Sequence, residues 1–180
     1  MPSNPMRNHW AEAARVGLFV LVLASGYLLL RSNFIGTRAI QGAVWEEVQA
    51  RAPKAGLDAG FVYALVAAES NFDPHAAHGR ARGLMQLTPE AWESVSKTPY
   101  TGAVWDWRTS LDVGISRLAD LRRKLVAKGV FSYPLLLEAY QRGPDFVASR
   151  KFDLHRMPRP ENPIARRLFA GELHPVPPPR

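Results

Sequence analysis

With 180 residues, 47% of them hydrophobic, the chain is long enough for one compact domain with appendages and too short for two. It has no cysteine, which excludes a disulfide framework, a thiol nucleophile, a Cys-ligated metal and a lipid anchor on cysteine. The net charge of +7 points to anionic partners, but no basic stripe interleaved with aromatics, Gly-rich phosphate loop or His-x-x-x-His pair accompanies it, so no nucleic acid is expected.

The first feature along the chain is "VGLFVLVLASGYLLL", Val16 to Leu30, an uncharged run between Arg15 and Arg31. It is short for a bilayer span, but snorkelling arginines at both ends, with Trp10 at the interface, extend it. Ala24-Ser25-Gly26 suits a signal cleavage site, yet the apolar run continues to Leu30. An uncleaved membrane anchor is therefore expected ahead of a cleaved signal or a soluble hydrophobic helix. Arg7 and Arg15 before the run, and Arg31 and Arg38 after it, leave the positive-inside count tied.

Beyond this run the pattern is helical almost throughout. "AIQGAVWEEVQARA" sets Ile40, Val44 and Val48 on one stripe. Val62, Leu65, Val66 and Glu69 stand at i, i+3, i+4 and i+7, on one face of a helix capped by Asp58 and ended by Asp73-Pro74. A glutamate thus takes the place of a buried aliphatic in the last turn. Desolvation and the negative end of the helix dipole both disfavour its ionised form, the condition a general acid requires. On this fragment alone, a glutamate that bends to solvent or pairs with one of the many arginines is the favoured reading.

"HGRARG" reads as a short hairpin, and Thr88-Pro89 opens the helix "PEAWESV". Trp105 and Trp107, in "VWDWR", are either rings that stack on sugar faces or lids on the core. Ser110 is expected to cap a long helix with the stripe Leu111, Ile115, Leu118, Leu121 and Leu125, closed by Gly129. Ser132 and Pro134 open "PLLLEAYQR", which stops at Gly143-Pro144. From Pro158 onward prolines and arginines mark a tail, expected as an extended strap or a disordered end with at most one short helix in "NPIARRLFAGEL". No strand of convincing alternation is present.

Three motifs in order, "ESNFDPHA" from Glu69, "GLMQLTP" from Gly83 and "AYQRGP" from Ala139, resemble the lytic transglycosylases with a soluble-transglycosylase (SLT, lysozyme-like) domain. The family pattern is Glu-Ser-x-Phe-x-Pro-x-Ala, then Gly-Leu-Met-Gln-Leu-x-Pro, then Ala-Tyr-Asn-Ala-Gly-Pro, and the match covers about residues 43–150. The resemblance implies a mainly α, small lysozyme-like domain of the goose type. With the N-terminal run it predicts a single transmembrane helix and stub over 1–36, the transglycosylase domain over 37–155 and a Pro/Arg-rich tail over 156–180. It implies cleavage of the β-1,4 bond between N-acetylmuramic acid and N-acetylglucosamine in peptidoglycan, with a 1,6-anhydro product made without water. Glu69 would be the acid/base, and Gln86, Tyr140, Met85, His78 and Gln141 would bind substrate. No cofactor or metal is implied, and two histidines, His75 and His78, without a third ligand make no metal site.

By the same resemblance the partners are peptidoglycan strands, the inner membrane through the N-terminal helix and an envelope-spanning secretion, conjugation or phage apparatus. The domain would then lie in the periplasm. The chain also departs from the pattern. The Glu69–Gly83 segment is one residue shorter than usual, with His78 where a serine is expected. Thr88 replaces a second methionine, and Gln141-Arg142 replaces Asn-Ala. These changes keep open a weak or inactive lysozyme-like domain that binds glycan or docks onto an envelope complex; a true hydrolase differs only in what occupies the space beside the anomeric carbon.

Overall fold

In the computed structural model, which describes residues 40–179, the helix of Glu69 runs through the middle of the domain. α1 covers residues 40–51, and a 3-10 turn at Pro53–Ala55 leads through left-handed Gly56 into α2 (Ala59–Ser70). Asp58 caps α2, its side chain accepting from the Phe61 amide at 2.8 Å. The sequence predicts one apolar face for α2, but Gly60 to Ala67 are all buried, so the helix is apolar on every side. Tyr63 stacks edge-on against Trp45 of α1, and Phe61 packs on Tyr133. Only Ala68 and Glu69, near the C-terminal end, reach partial exposure after that buried stretch.

α2 ends earlier than Asp73-Pro74. Asn71 and Phe72 both adopt left-handed backbone (φ 51° and 64°), and this stops the helix at Ser70. The hairpin forms as expected, with β1 (Ala77–His78) antiparallel to β2 (Ala81–Arg82). α3 (Pro89–Glu93) starts at the Thr88 cap, and a kinked turn, α4 (Tyr100–Ala103), follows. The long helix α5 (Trp107–Ala127) is capped by Asp106, not by Ser110. Ser110 lies inside the first turns and fully buried, where its hydroxyl accepts from the Met85 amide at 3.2 Å. The stripe Leu111, Ile115, Leu118, Leu121 and Leu125 is buried as predicted.

α6 (Tyr133–Arg142), capped by Ser132, packs against α5, and α7 (Pro144–Ser149) follows directly after Gly143. A 3-10 turn at Leu154–Arg156 then leads into the tail. α8 (Pro163–Phe169) packs on α2 and α6, with Leu168 and Ala165 in the core. The tail is thus a strap containing one helix, and it closes onto the helix of Glu69. Asn162 joins the two: its Oδ1 caps α8 while its Nδ2 donates to Ala68 O at 3.1 Å. That carbonyl belongs to the last turn of α2 and has no intrahelical partner. Further on, His174 Nε2 lies 2.8 Å from Asp58 Oδ1 and packs over Gly60, where any Cβ would stand 2.1 Å from the ring.

Asn162→Ala removes a cap and a strap contact together. It is expected to lower stability by about 1–2 kcal/mol, read by denaturant unfolding, and to increase amide exchange at the end of α2.

The described residues thus form the mainly helical small domain that the resemblance implies. Among them no helix is long and apolar enough to cross a membrane. The predicted anchor at 16–30 lies outside the described residues.

Candidate functional site

Glu69 arrives at the cleft because a helix buried on all sides ends there. Its carboxyl is packed by protein while the residue keeps partial access to a cleft of about 440 Å³. Burial pushes its pKa up to about 7, against the opposing pull of the Gln141 amide and the nearby His78. Gln141 Nε2 donates to Glu69 Oε1 at 2.8 Å. That bond joins the first motif to the third across seventy-two positions of chain, and Gln141 fills the family's Asn position.

The second motif forms the wall opposite. Its backbone is held from three sides. Gly83 N donates to Ala76 O, Met85 N to Ser110 Oγ, and Tyr100 Oη donates to Leu87 O at 3.0 Å. Within it Gln86 sits in left-handed backbone (φ 47°) and lines the cleft. Its amide is used by the protein itself, however. Nε2 donates to Ala76 O (2.9 Å) and Gly83 O (2.8 Å), and Oε1 faces His78 Nδ1 at 2.9 Å. Because both amide hydrogens go to carbonyls, Oε1 accepts, and the His78 proton is placed on Nδ1. Gln86 therefore ties the hairpin to the loop, and both its amide hydrogens are committed to the protein.

Met85 differs more from expectation. Its side chain is fully buried and lies against Gly114 of α5, where a Cβ would come within 2.6 Å of it. It is core, and what it presents to the site is a carbonyl. Tyr140 Oη donates to Met85 O at 2.7 Å. Tyr140 lines the cleft beside Gln141, and burial, then the Glu69 charge, push its phenol well up, so it stays a neutral donor. Tyr140→Phe leaves the Met85 carbonyl short of a partner. Its expected cost is about 1–3 kcal/mol, read by thermal unfolding.

His78 is exposed, and with His75, Asp73 and Asn162 it borders a second hollow of about 520 Å³ that also contains Glu69. Glu69 thus separates two openings. Among the described residues no cluster of three metal-ligating side chains occurs. Trp105 and Trp107 line neither hollow; both pack against the core, Trp107 under the Arg108 guanidinium at 4.3 Å.

Sequence reading passed over Arg117, Thr88 and Glu90 as cleft residues. Arg117 carries a signal in retrospect. It lies three positions after Gly114 and four before Leu121, both buried, so a charge falls on the edge of the inner stripe of α5.

Two carboxyls line the cleft: Glu69, whose pKa burial raises, and Glu90, which is ion-paired with Arg80. A family model described as transglycosylase SLT domain matches residues 46–153, more than half of the chain. Comparison with curated proteins and with solved structures returned no significant match. Glu69, the Gly83–Leu87 loop and Tyr140 all fall inside the matched span and meet at one cleft, and the chain belongs to the transglycosylase SLT domain family.

Proposed function

We propose that the protein is a peptidoglycan lytic transglycosylase that cleaves the muramic acid–glucosamine bond through Glu69 alone and releases a 1,6-anhydro end. Family membership supports a lytic-transglycosylase-type function on peptidoglycan in general. The observation that carries the finer reading is the Glu69 carboxyl, held by burial to a pKa of about 7 at the junction of two openings.

The step balances with one carboxyl. Protonated Glu69 gives its proton to the glycosidic oxygen as the bond to the anomeric carbon breaks. The resulting carboxylate then takes the proton of the muramic 6-hydroxyl as that oxygen attacks the same anomeric carbon. Glu69 ends protonated, and no water is consumed. Glycosidases that activate water or form a covalent intermediate need a second carboxylate. An internal nucleophile needs positioning instead, which supplies a large effective molarity. Gln141 orients the Glu69 carboxyl, Tyr140 holds the wall at Met85 O, and Gln86 keeps the hairpin closed over it.

The Val16–Leu30 run supports an inner-membrane anchor with the domain in the periplasm, where the substrate is, and a role in wall remodelling or in local wall opening for an envelope-spanning apparatus. A second reading, a weak or inactive glycan-binding module, draws on the Gln86 amide, which has no donor left for a sugar.

The test is digestion of purified peptidoglycan by the 180-residue chain beside Glu69→Gln, with products read by mass spectrometry. Anhydro-muropeptides from the unsubstituted chain alone support the proposal. Reducing-end products would replace it with hydrolysis, and bound but uncut glycan would leave the binding module.

A further inference from the structure

Glu138 has no part in the chemistry above, yet it is a glutamate with 0% exposure in the middle of α6. Arg142 Nε lies 3.0 Å from its Oε2 as an ion pair, while neither carboxylate oxygen has a well-aligned hydrogen-bond donor. Burial raises the Glu138 pKa and the Arg142 charge opposes it. An ion pair whose carboxylate is buried is weak support for a fold, since an apolar side chain in place of that carboxylate often does as well or better. What it does is hold an arginine. The Arg142 guanidinium stands 5.4 Å from the centre of the Phe146 ring, which restricts its plane, and Arg142 lines the Glu69 cleft. Its two terminal nitrogens take no protein acceptor among the described residues.

A second arginine lies in the same cleft. Arg117 is 13% exposed along its side chain, with Nη1 donating to Ser94 Oγ at 3.1 Å and 3.6 Å from Asp120 Oδ2. Asp120 is shared with Arg123 and Lys124, so it does not neutralise Arg117 alone. The acids of the cleft are Glu69 and Glu90, and Glu90 is bonded to Arg80. Two arginines therefore line the cleft, Arg142 anchored through its Nε and Arg117 through its Nη1. The planar fork of arginine suits a carboxylate better than a neutral sugar.

We propose that Arg117 and Arg142, the latter held by buried Glu138, form an anion subsite of the Glu69 cleft that takes a carboxylate carried by the glycan strand. This rests on the peptidoglycan reading. That carboxylate is either the free lactyl group of muramic acid or belongs to the peptide attached to it. The enzyme then selects strands by what the muramic acid carries, and Glu138 acts as a positioning residue for that choice.

The experiment measures affinity, so it does not depend on turnover. The 180-residue Glu69→Gln chain is titrated with three soluble glycan preparations: peptide-bearing strands, strands stripped of peptide to leave lactyl carboxylates, and strands with every carboxyl converted to an amide. Carboxylate-bearing strands are expected to bind roughly tenfold tighter than amidated ones. Arg142→Gln and Arg117→Gln in that background should bring the ratio close to one. Glu138→Gln should lower it without touching the ligand, whereas Lys54→Gln, exposed on the Pro53–Ala55 turn, should leave it intact. Retention of the preference by stripped strands assigns the lactyl group, and its loss assigns the peptide.

Equal affinity for all three preparations, binding to none, or an equal fall with Lys54→Gln would overturn the subsite. Failure of the transglycosylase reading shows separately, as absence of anhydro products from the unsubstituted chain.

Discussion

Glu69→Gln is expected to abolish glycan cleavage, by about 10³-fold or more, and at the same time to make the domain more stable at alkaline pH. The two effects have one cause. Burial holds the Glu69 pKa at about 7, above the ordinary 4.5. A raised folded-state value means that the native state binds the proton more tightly than the unfolded chain. The stability this gives is complete below about 4.5, and it is lost as pH rises through 7, when a charged carboxylate must be kept in the cleft. With partial access to water discounted, that loss is about 1–3 kcal/mol above neutrality. Glutamine has no charge to bury and escapes it. Unfolding midpoints of the two proteins should therefore separate at about pH 8 and converge at about pH 4. A constant difference across that range would mean that the substitution acts through packing.

The same group sets the activity profile. If Glu69 is the acid of the proposed mechanism, the free enzyme needs it protonated, and kcat/KM should fall tenfold per pH unit above about 7. In the proposed mechanism one carboxyl gives the proton and takes it back, so Glu69 should contribute a descending limb and no ascending one. Gln141→Ala removes the donor on Oε1 that opposes the raised pKa, and the descending limb should move to higher pH.

The second large effect lies in backbone. Gly83→Ala is expected to lower the melting temperature by about 10 °C or more, or to prevent folding. Gly83 has φ +76°, and a Cβ there would stand 2.1 Å from the Val104 carbonyl oxygen. Left-handed backbone alone costs an alanine about 1–2 kcal/mol. The clash is with main chain and cannot be relieved by a rotamer change. The site should go with the fold, because Gly83 N and O hold Ala76 and Gln86 in place. Gly79→Ala supplies the comparison. Its φ is +57° but nothing lies within 4 Å, so it should show the backbone cost alone. Equal losses at both glycines would assign the Gly83 effect to dihedral strain.

Much of the site was legible in the one-dimensional pattern. The apolar stripe alone left Glu69 open to a solvent-facing or arginine-paired role, and the three ordered motifs together pointed to Glu69, the loop at Gly83 and Tyr140. The Asp58, Thr88 and Ser132 caps were legible for the same reason: a cap depends on a side chain and amides two or three residues away.

Which way a side chain faces depends on partners far along the chain, beyond the reach of local pattern. Gln86 turns inward because Ala76 and Gly83 offer carbonyls, and Met85 is core because Gly114 leaves room on α5. Ser110 lost the cap because Asp106, four residues earlier, took it and left Ser110 to the Met85 amide. Only the tertiary structure revealed that the proline-rich tail folds back onto α2 through Asn162 and His174, or that a glutamate inside α6 holds an arginine at the cleft. Periodicity and capping act within a few residues of chain. Burial, and with it the raised pKa of Glu69, exists only once distant segments pack.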